Sequence, residues 1–333
     1  MREMQARGAA TLAVCCLALA ACGVAPNEAA FIASPSPAAS PQPTPSPAQP
    51  AFSPAPPLPS PSQVASGSCQ IPIADISEAK GWFITVPGGN RQDDPASVVA
   101  LPGGTPGQIG INPGLTFDRA AGLWVPVPYQ WLAPGGSVYA YQDFSSRAIR
   151  AVNVIDGSSG QVVPGGSWIL MTTADDGVYV TRSDGPGAWF ISFDGQARQV
   201  IDHGSWQRLF EGSMWGVDPS GALVRHNLIT GSETPMSPVP ASAWILGFDV
   251  SGDPLLSSGG ALMLVRADHS VATLWPGTNG SVGGRAVGDE LGVWFEVGGG
   301  LFGAPGHGLY LWTAAAGAQI VSNSEGNLAG GCS

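Results

Sequence analysis

The residues with the clearest capacity for chemistry are carboxylates that recur in turns at intervals close to forty residues. Each turn follows an apolar run and contains one or two acids: Asp175 and Asp176, Glu211, Asp249, and Asp289 with Glu290. Carboxylate oxygens are the ligands that Ca²⁺ prefers, and a ring of them also attracts a basic patch on a protein. Asp beside Gly is equally typical of tight turns that bind nothing. The pattern therefore predicts an acidic rim with two interpretations, a Ca²⁺ or partner site and a set of turn formers.

The other side chains that serve catalysis form no known motif. The histidines His203, His226, His269 and His307 give no H-x-H, H-x-x-x-H or H-E-x-x-H spacing, so no zinc site is predicted. Residues 298–303 match G-x-G-x-x-G, but Pro305 follows where a dinucleotide site needs a helix, which indicates a glycine-rich hairpin. We therefore predict no catalytic residue and no cofactor other than the Ca²⁺ of the rim.

The acidic turns recur within a sequence repeat of just under forty residues. A strand-like run opens at Trp131, Trp168, Trp206 and Trp244, which are 37, 38 and 38 residues apart, and Val282 stands 38 residues further on. Second strands are centred on positions 139, 179, 215, 255 and 294, and third strands cover 151–154, 188–191, 222–225, 261–264 and 308–311. Four strands per unit are typical of a β-propeller blade, which buries its faces only against neighbouring blades. The Trp residues are interpreted as packing between blades, with a sugar-stacking platform as the alternative.

Counting the units predicts an all-β propeller of six four-stranded blades within a domain over 67–333. Residues 130–321 hold five regular units, and the stretch 81–127 supplies four more strand-like runs for the sixth. In the alternative count, the remaining segments 67–80 and 322–333 together complete a seventh blade. The opening strand of each blade lines the central channel of a propeller, so the acidic turns are expected to surround one of its mouths.

Composition agrees with this fold and limits the partners. Gly counts 47 and Trp 11, while charged residues make up 11% of the chain, which favours many short strands joined by tight turns. The net charge is −11 and Lys80 is the only lysine, which argues against nucleic acid, because such binding requires Lys and Arg to neutralise phosphates. We expect a monomer.

The N-terminus combines a basic start, a short apolar run and a cysteine. Arg2 and Arg7 precede an apolar run over 8–21 that is too short to cross a bilayer, and residues 19–22 read Leu-Ala-Ala-Cys. This segment resembles the lipobox signal peptide of bacterial lipoproteins. The resemblance implies that residues 1–21 are removed and that Cys22 carries acyl chains such as palmitate, which anchor the protein to the extracytoplasmic side of the cell membrane. The alternative is an ordinary secretory signal with an incidental cysteine.

A proline-rich linker follows over 22–66. Prolines interleaved with Ser, Ala and Gln remove amide donors and fix φ, so a disordered, extended tether is predicted. At ~3.1 Å per residue, about 40 residues reach on the order of 100 Å. A proline-rich ligand for a partner domain is the alternative.

Two cysteines flank the predicted propeller. Cys69 and Cys332 stand at opposite ends of the domain, and an oxidising compartment favours a disulfide between them. Such a bond would hold the two ends of the ring together. The alternative is two free thiols.

The strand spacing and turn chemistry over about 80–330 resemble those of extracytoplasmic lipoproteins that carry a TolB-like or WD40-like propeller. The Trp-Asp pair of WD40 repeats is not present, and Gly-His occurs once, at 306–307, without recurring from unit to unit. Residues 183–189 have the wrong spacing for the Asp-box of sialidases. The resemblance implies a fold and a habit of binding partners, and it transfers no functional residue.

The function predicted from these features is that of a membrane-anchored extracytoplasmic binding or scaffolding lipoprotein. Its propeller would present loops to an envelope protein or a small ligand. The alternative is an extracytoplasmic propeller enzyme of hydrolase or lactonase type with a metal at the central channel. Such an enzyme requires three or four carboxylate or amide side chains to converge on the channel axis.

Overall fold

The computed structural model describes residues 68–75, 78, 80–97, 114–119, 121–143, 145–298, 308–323 and 326–332. The signal segment 1–21, Cys22 and the linker to residue 66 lie outside the described residues. Most of the strand predicted over 97–101 and most of the glycine-rich hairpin over 298–303 also lie outside them. In the described ranges, no helix has the length and apolarity needed to cross a membrane.

The described fold is a β-propeller of six blades, each a sheet of short antiparallel strands. Five blades have four strands. The other blade has three. The opening strand predicted at Trp131 is not formed there, and in its place Leu132 pairs with Tyr139 through a single bridge. The predicted all-β class and the count of six are therefore confirmed.

The strands are numbered in chain order. Blade 1 contains β1 (Cys69–Asp75), β2 (Lys80–Val86), β3 (Arg91–Asp93) and the last strand, β25 (Asn327–Leu328). A separate two-stranded hairpin contains β4 (Thr116–Asp118) and β5 (Leu123–Val125). Blade 2 contains β6 (Val138–Gln142), β7 (Ile149–Asn153) and β8 (Ser159–Val163). Blade 3 contains β9 (Trp168–Ala174), β10 (Gly177–Arg182), β11 (Gly185–Ser192) and β12 (Ala197–Ile201).

The remaining three blades follow the same plan. Blade 4 contains β13 (Trp206–Phe210), β14 (Ser213–Val217), β15 (Ala222–Asn227) and β16 (Glu233–Pro238). Blade 5 contains β17 (Trp244–Phe248), β18 (Pro254–Ser258), β19 (Ala261–Val265) and β20 (Val271–Trp275). Blade 6 contains β21 (Ser281–Asp289), β22 (Gly292–Gly298), β23 (Gly308–Thr313) and β24 (Gly317–Ser322). Two short 3₁₀ turns cover Pro95–Ser97 and Tyr129–Trp131.

The opening strands of the blades surround the propeller axis. β9, β13, β17 and β21 contact one another in sequence, the turn Tyr129–Trp131 contacts β9, and β25 contacts β21. These elements therefore line the central channel, as the repeat predicted.

Each core cluster joins two neighbouring sheets. Between blades 5 and 6, for example, Leu255 and Leu262 pack with Val293 and Phe295, and all four are fully or nearly fully buried. Burial of such a side chain contributes roughly 1.5–3 kcal/mol relative to exposure. Because both faces of a blade are covered in this way, its strands show only a loose alternation of apolar and polar residues.

The repeating tryptophans divide into two kinds. Trp131 and Trp206 are buried, and Trp168 packs against the core cluster between blades 2 and 3, which agrees with packing between blades. Trp168 also packs edge-on against Trp189 of its own blade, at 5.4 Å between ring centroids. Trp244 is 49% exposed, although it occupies the same place in its blade. The interpretation as packing holds for the first three and fails for Trp244.

Two glutamines join adjacent blades through the backbone. Gln142 of blade 2 donates from Nε2 to the carbonyl of Trp168 at 2.5 Å and accepts from the Leu170 amide at 3.4 Å. Gln207 of blade 4 bonds the carbonyl of Ala243 and the amide of Ile245 in the same way, at 3.3 and 2.9 Å. These bonds satisfy backbone groups on opening strands that the sheet ladder leaves free.

The first blade closes the ring, and its composition differs from the prediction. β1 pairs with β2 on one side and with β25 on the other, so the segments 67–80 and 322–333 complete blade 1 and not a seventh blade. Cys69 and Cys332 form the predicted disulfide, with 5.6 Å between their Cα atoms. The ends of the domain are thus held by both a strand pair and a covalent bond.

The prediction that 81–127 forms one four-stranded blade is wrong. β4 and β5 form their own hairpin, which packs on the face of blade 1 through a cluster of Phe83, Phe117 and Trp124. A Cβ atom at Gly81 would lie 2.3 Å from the Trp124 ring. Because Gly81 has no side chain, the ring packs flat against β2, and the hairpin covers the face of the sheet instead of extending its edge.

Candidate functional site

The acidic turns follow one another around one mouth of the channel. The Asp175 carboxylate accepts a hydrogen bond of 3.0 Å from the amide of Gly135 in the turn of the preceding blade. Gly288 lies so close to Asp249 that a Cβ atom there would come within 2.2 Å of the Asp249 Cα, and Gly252 lies against Phe210 in the same manner. Successive turns therefore touch from blade to blade.

Besides Asp175, two more of the six rim acids accept hydrogen bonds. Asp249 accepts hydrogen bonds from the amides of Ser251 and Asp253 at 2.9 and 2.8 Å, which stabilise its own turn. Asp289 accepts three bonds, from the Leu291 amide at 2.9 Å, the Trp294 indole at 2.7 Å and the Cys332 amide at 2.8 Å. Asp289 is thus the acceptor that fixes the C-terminal segment beside the disulfide.

The remaining acids of the rim face solvent. In the described part of the chain, the side chains of Asp176, Glu211 and Glu290 are exposed and have no hydrogen-bond partner. The same residues include no group of three or more His, Cys, Asp and Glu side chains that could hold a metal ion. The interpretation of the rim as a Ca²⁺ site therefore lacks a set of ligands among the described residues. Its interpretation as a partner-binding site stays a prediction.

Two arginines in the channel were not foreseen as functional residues. Arg208 is on β13 and Arg285 on β21, both opening strands. The guanidinium carbon of Arg285 lies 4.3 Å from the ring centroid of Tyr129, which belongs to the opening turn of blade 2. The guanidinium carbon of Arg208 lies 5.6 Å from the ring centroid of Trp244 in the next blade. Each cation is therefore held at an aromatic face.

Arg285 spans from blade 6 to blade 2 and retains a free donor. Its Nη1 atom is inaccessible to solvent and has no hydrogen-bond partner among the described residues. Burial lowers the pKa of Arg285 to about 10, and the positive charges of Arg119 and Arg208 contribute to that shift. Burial also lowers the pKa of Arg208 to about 10. Both side chains remain charged at neutral pH, since each pKa lies well above 7.

Two further charged residues are near Arg285. Burial raises the pKa of Glu296 to about 8, which leaves this carboxyl mostly protonated at pH 7, although the Leu328 amide and Arg285 favour its ionised form. Arg119 lies at the rim, where its guanidinium donates to the carbonyl of Gly331. The net charge of the channel interior at neutral pH is therefore positive, beneath an acidic rim.

A signal for these arginines exists in the sequence. Arg208 stands three residues before Glu211, and Arg285 stands four residues before Asp289, so each lies on an opening strand shortly before an acidic turn. The sequence does not predict the direction of the two arginine side chains, because a β-bulge interrupts each strand. The bulges lie between Trp206 and Arg208 and between Val282 and Ala286. A bulge changes which face the following side chains take.

A histidine cluster lies between blades 3 and 4, beside Trp206 at the start of β13. Glu233 Oε1 is 2.8 Å from Nε2 of His203 and 3.0 Å from Nδ1 of His226, and Asp202 Oδ1 is 2.7 Å from Nδ1 of His203. The hydrogen bonds that the His203 ring donates to Asp202 and Glu233 raise the pKa of His203 above its ordinary 6.5. Burial disfavours ionised Glu233, but the bonds from His226 and His203 outweigh it and lower the pKa of Glu233.

This cluster gives a pH prediction. The pKa of His203 measured by NMR titration should exceed 6.5, and Glu233→Gln should lower it. Because the folded-state pKa is raised, the stabilisation by His203 is complete below pH 6.5 and is lost as the pH rises through the folded value. An identical His203 pKa in the wild type and in Glu233→Gln would contradict the assigned hydrogen bond, and His269, which bonds the Met236 carbonyl, serves as the internal control.

These features define the class of the protein: a six-bladed β-propeller closed by its terminal strands and a disulfide, with an arginine-lined channel under an acidic rim. Among solved structures the chain is similar to TolB from Acinetobacter baumannii, with 13% identity, a TM-score of 0.46, and coverage of 79% of this chain and 65% of TolB. It is also similar to a puromycin hydrolase S511A mutant complexed with PGG, with 12% identity, a TM-score of 0.46, and coverage of 78% and 54%.

A third similarity is to a chain of a nidogen/laminin complex, with 11% identity, a TM-score of 0.40, and coverage of 69% of this chain and 86% of that one. The chain thus spans about two thirds of TolB and about half of the puromycin hydrolase chain. A scan against protein-family models gives no match, and a search of curated proteins gives none. The propeller fold itself is read from the strand order described above.

Proposed function

We propose that this protein is a membrane-anchored, extracytoplasmic binding lipoprotein whose propeller presents its rim to an envelope protein or ligand. The lipobox-like residues 19–22 support lipidation at Cys22 and attachment to the extracytoplasmic side of the cell membrane. The proline-rich linker over 22–66 supports display of the propeller at a distance from the bilayer.

The observation that carries the binding role is a group of exposed apolar side chains on the rim face. Ile155 is 85% exposed, Ile229 87% and Val250 67%. Ile155 and Ile229 lie in turns between the third and fourth strands of their blades, and Val250 lies in a turn between the first and second. Because successive strands of an antiparallel sheet reverse direction, both kinds of turn emerge on the same face of the propeller.

The rim face therefore combines exposed aliphatic side chains with unpaired carboxylates. Such a mixture of apolar anchors and charge is what a protein partner with a basic, partly apolar surface recognises. The exposure of a large aliphatic side chain brings no benefit to the isolated domain, whereas its burial against a partner does. This is the physical basis for preferring a binding function.

The enzyme alternative requires a metal in the channel. The two channel arginines oppose it, because a cation brought beside these two partly buried positive charges is repelled by them. A binding module is consistent with both the rim and the channel.

Fractionation and crosslinking of the full chain in its native host test this proposal. The wild type should sediment with membranes and take up labelled palmitate, and Cys22→Ser should move to the soluble extracytoplasmic fraction. In intact cells, photo-crosslinking should give a defined adduct that the triple change Ile155→Ser, Ile229→Ser, Val250→Ser removes.

Leu123→Ser is the matched control, because Leu123 is a 46% exposed apolar residue on the hairpin and not in a blade turn. This variant should retain the adduct. Membrane sedimentation of Cys22→Ser would contradict the anchor, and an adduct that survives the triple change would contradict the binding face.

A further inference from the structure

The channel arginines pose an electrostatic problem that the protein alone does not solve. Arg208 and Arg285 stand on β13 and β21, two of the opening strands that surround the channel, and the positive charge of Arg208 contributes to the lowered pKa of Arg285. In the described residues neither arginine forms an ion pair with a carboxylate. Placing like charges together away from bulk water costs free energy unless a counter-charge is present. The free Nη1 atom of Arg285 adds an unsatisfied donor at the same place.

From this arrangement we infer that the central channel binds a small anion with two or more charged oxygens, a phosphate or a polycarboxylate, between Arg208 and Arg285. A guanidinium presents its N–H groups in a planar fork that matches two oxygens of a carboxylate or phosphate. The proposed binding function is thereby given a ligand class, and this inference rests on that function.

The aromatic rings beside the two guanidinium groups preorganise the proposed anion site. Tyr129 and Trp244 are 58% and 49% exposed, and each contacts one of the guanidinium groups. Stacking fixes the plane of the guanidinium and so lowers the entropy that must be lost when an anion binds. Arg208 is also held by its bond from Nη1 to the Gln207 carbonyl at 3.3 Å, which leaves other N–H groups for a ligand.

The carboxyl groups near the two arginines do not supply the counter-charge that the proposed anion would supply. Asp289 at the rim is committed to three hydrogen-bond donors around the disulfide. Glu296 is deep beside the Leu328 amide and carries little charge at neutral pH. The acidic rim disfavours anions at the entrance, so selectivity comes from the contacts in the channel and not from long-range attraction.

Isothermal titration of the full chain, purified in detergent, with inorganic phosphate and separately with citrate tests the site. At least one probe should bind saturably below about 10 mM, and added NaCl should weaken it. Arg208→Gln and Arg285→Gln should each weaken that binding at least about 10-fold. The two probes distinguish a phosphate ligand from a carboxylate ligand.

Thermal unfolding in anion-free buffer separates a ligand site from a structural role. Arg285→Gln should unfold at the temperature of the wild type or above it, because the change relieves repulsion. Arg198→Gln is the matched control, since Arg198 lies 5.1 Å from the Phe190 ring on an outer strand, and it should leave anion binding unchanged.

The proposal is overturned by lack of binding of both probes, by equal binding in both channel variants, or by a clear loss of stability in both variants without anion. If anion binding fails while the crosslinked adduct of the rim persists, the channel site is wrong and the binding face stands. If the adduct is lost while anion binding persists, the binding face is wrong and the channel site stands.

Discussion

Replacing both Cys69 and Cys332 with serine should lower the free energy of unfolding by about 5 kcal/mol. The two cysteines are 263 residues apart in sequence, so the bond closes almost the whole domain into one loop. In the chain-entropy description, the stabilisation by a disulfide rises with the logarithm of loop length, which puts this bond at the upper end of the usual range. The melting temperature should fall by roughly 10–15 °C.

Urea unfolding followed by circular dichroism measures this change. Wild-type protein treated with dithiothreitol should match the double variant, and Cys22→Ser should match the untreated wild type. A loss below about 1 kcal/mol would show that the pairing of β25 with β1 closes the ring without covalent help.

Asp289→Ala should cost about 3 kcal/mol of folding free energy. The change removes the acceptor of three N–H groups, and one of these belongs to the fully buried Trp294. Hydrogen bonds to a charged group contribute about 1.5–3 kcal/mol each, and a buried donor left without an acceptor adds its own desolvation penalty. Denaturant unfolding measured by tryptophan fluorescence gives the value.

Asp176→Ala is the control, since Asp176 is an exposed rim acid, and it should change stability by less than about 0.5 kcal/mol. The effects of Asp289→Ala and of the disulfide variant should not be additive, because the amide of Cys332 is one of the three donors. Wild-type stability in Asp289→Ala would assign this carboxylate to binding instead of to closure of the ring.

The disulfide and Asp289 show which contacts can be predicted from the sequence and which cannot. The disulfide was predicted from two cysteines at the ends of a domain that we expect to be exported, which is an argument about compartment and count. Asp289 was selected for its place in the repeat, and its place at the rim agrees with the structure. Its three donors come from β22, the turn before it and the C-terminus, and no local pattern contains that combination.

The rim face likewise has features that could not be predicted from the sequence. The sequence marks Asp249 and Asp289 as equal members of a rim with Asp176, Glu211 and Glu290, but hydrogen bonds engage the first two and leave the last three in solvent. No pattern in the sequence marks the apolar residues Ile155, Ile229 and Val250, and only their exposure in the structure led us to propose a binding face there.

The amino-acid sequence by itself determined the blades over 130–321, because strand formation and tight turns depend on residues within about ten positions of one another. The tertiary structure alone decided that β25 completes blade 1, that β4 and β5 leave it, and that Arg208 and Arg285 share the channel. Pairing over more than 250 residues and the change of side-chain direction at a bulge depend on packing between distant segments. No short-range pattern in the chain encodes those contacts.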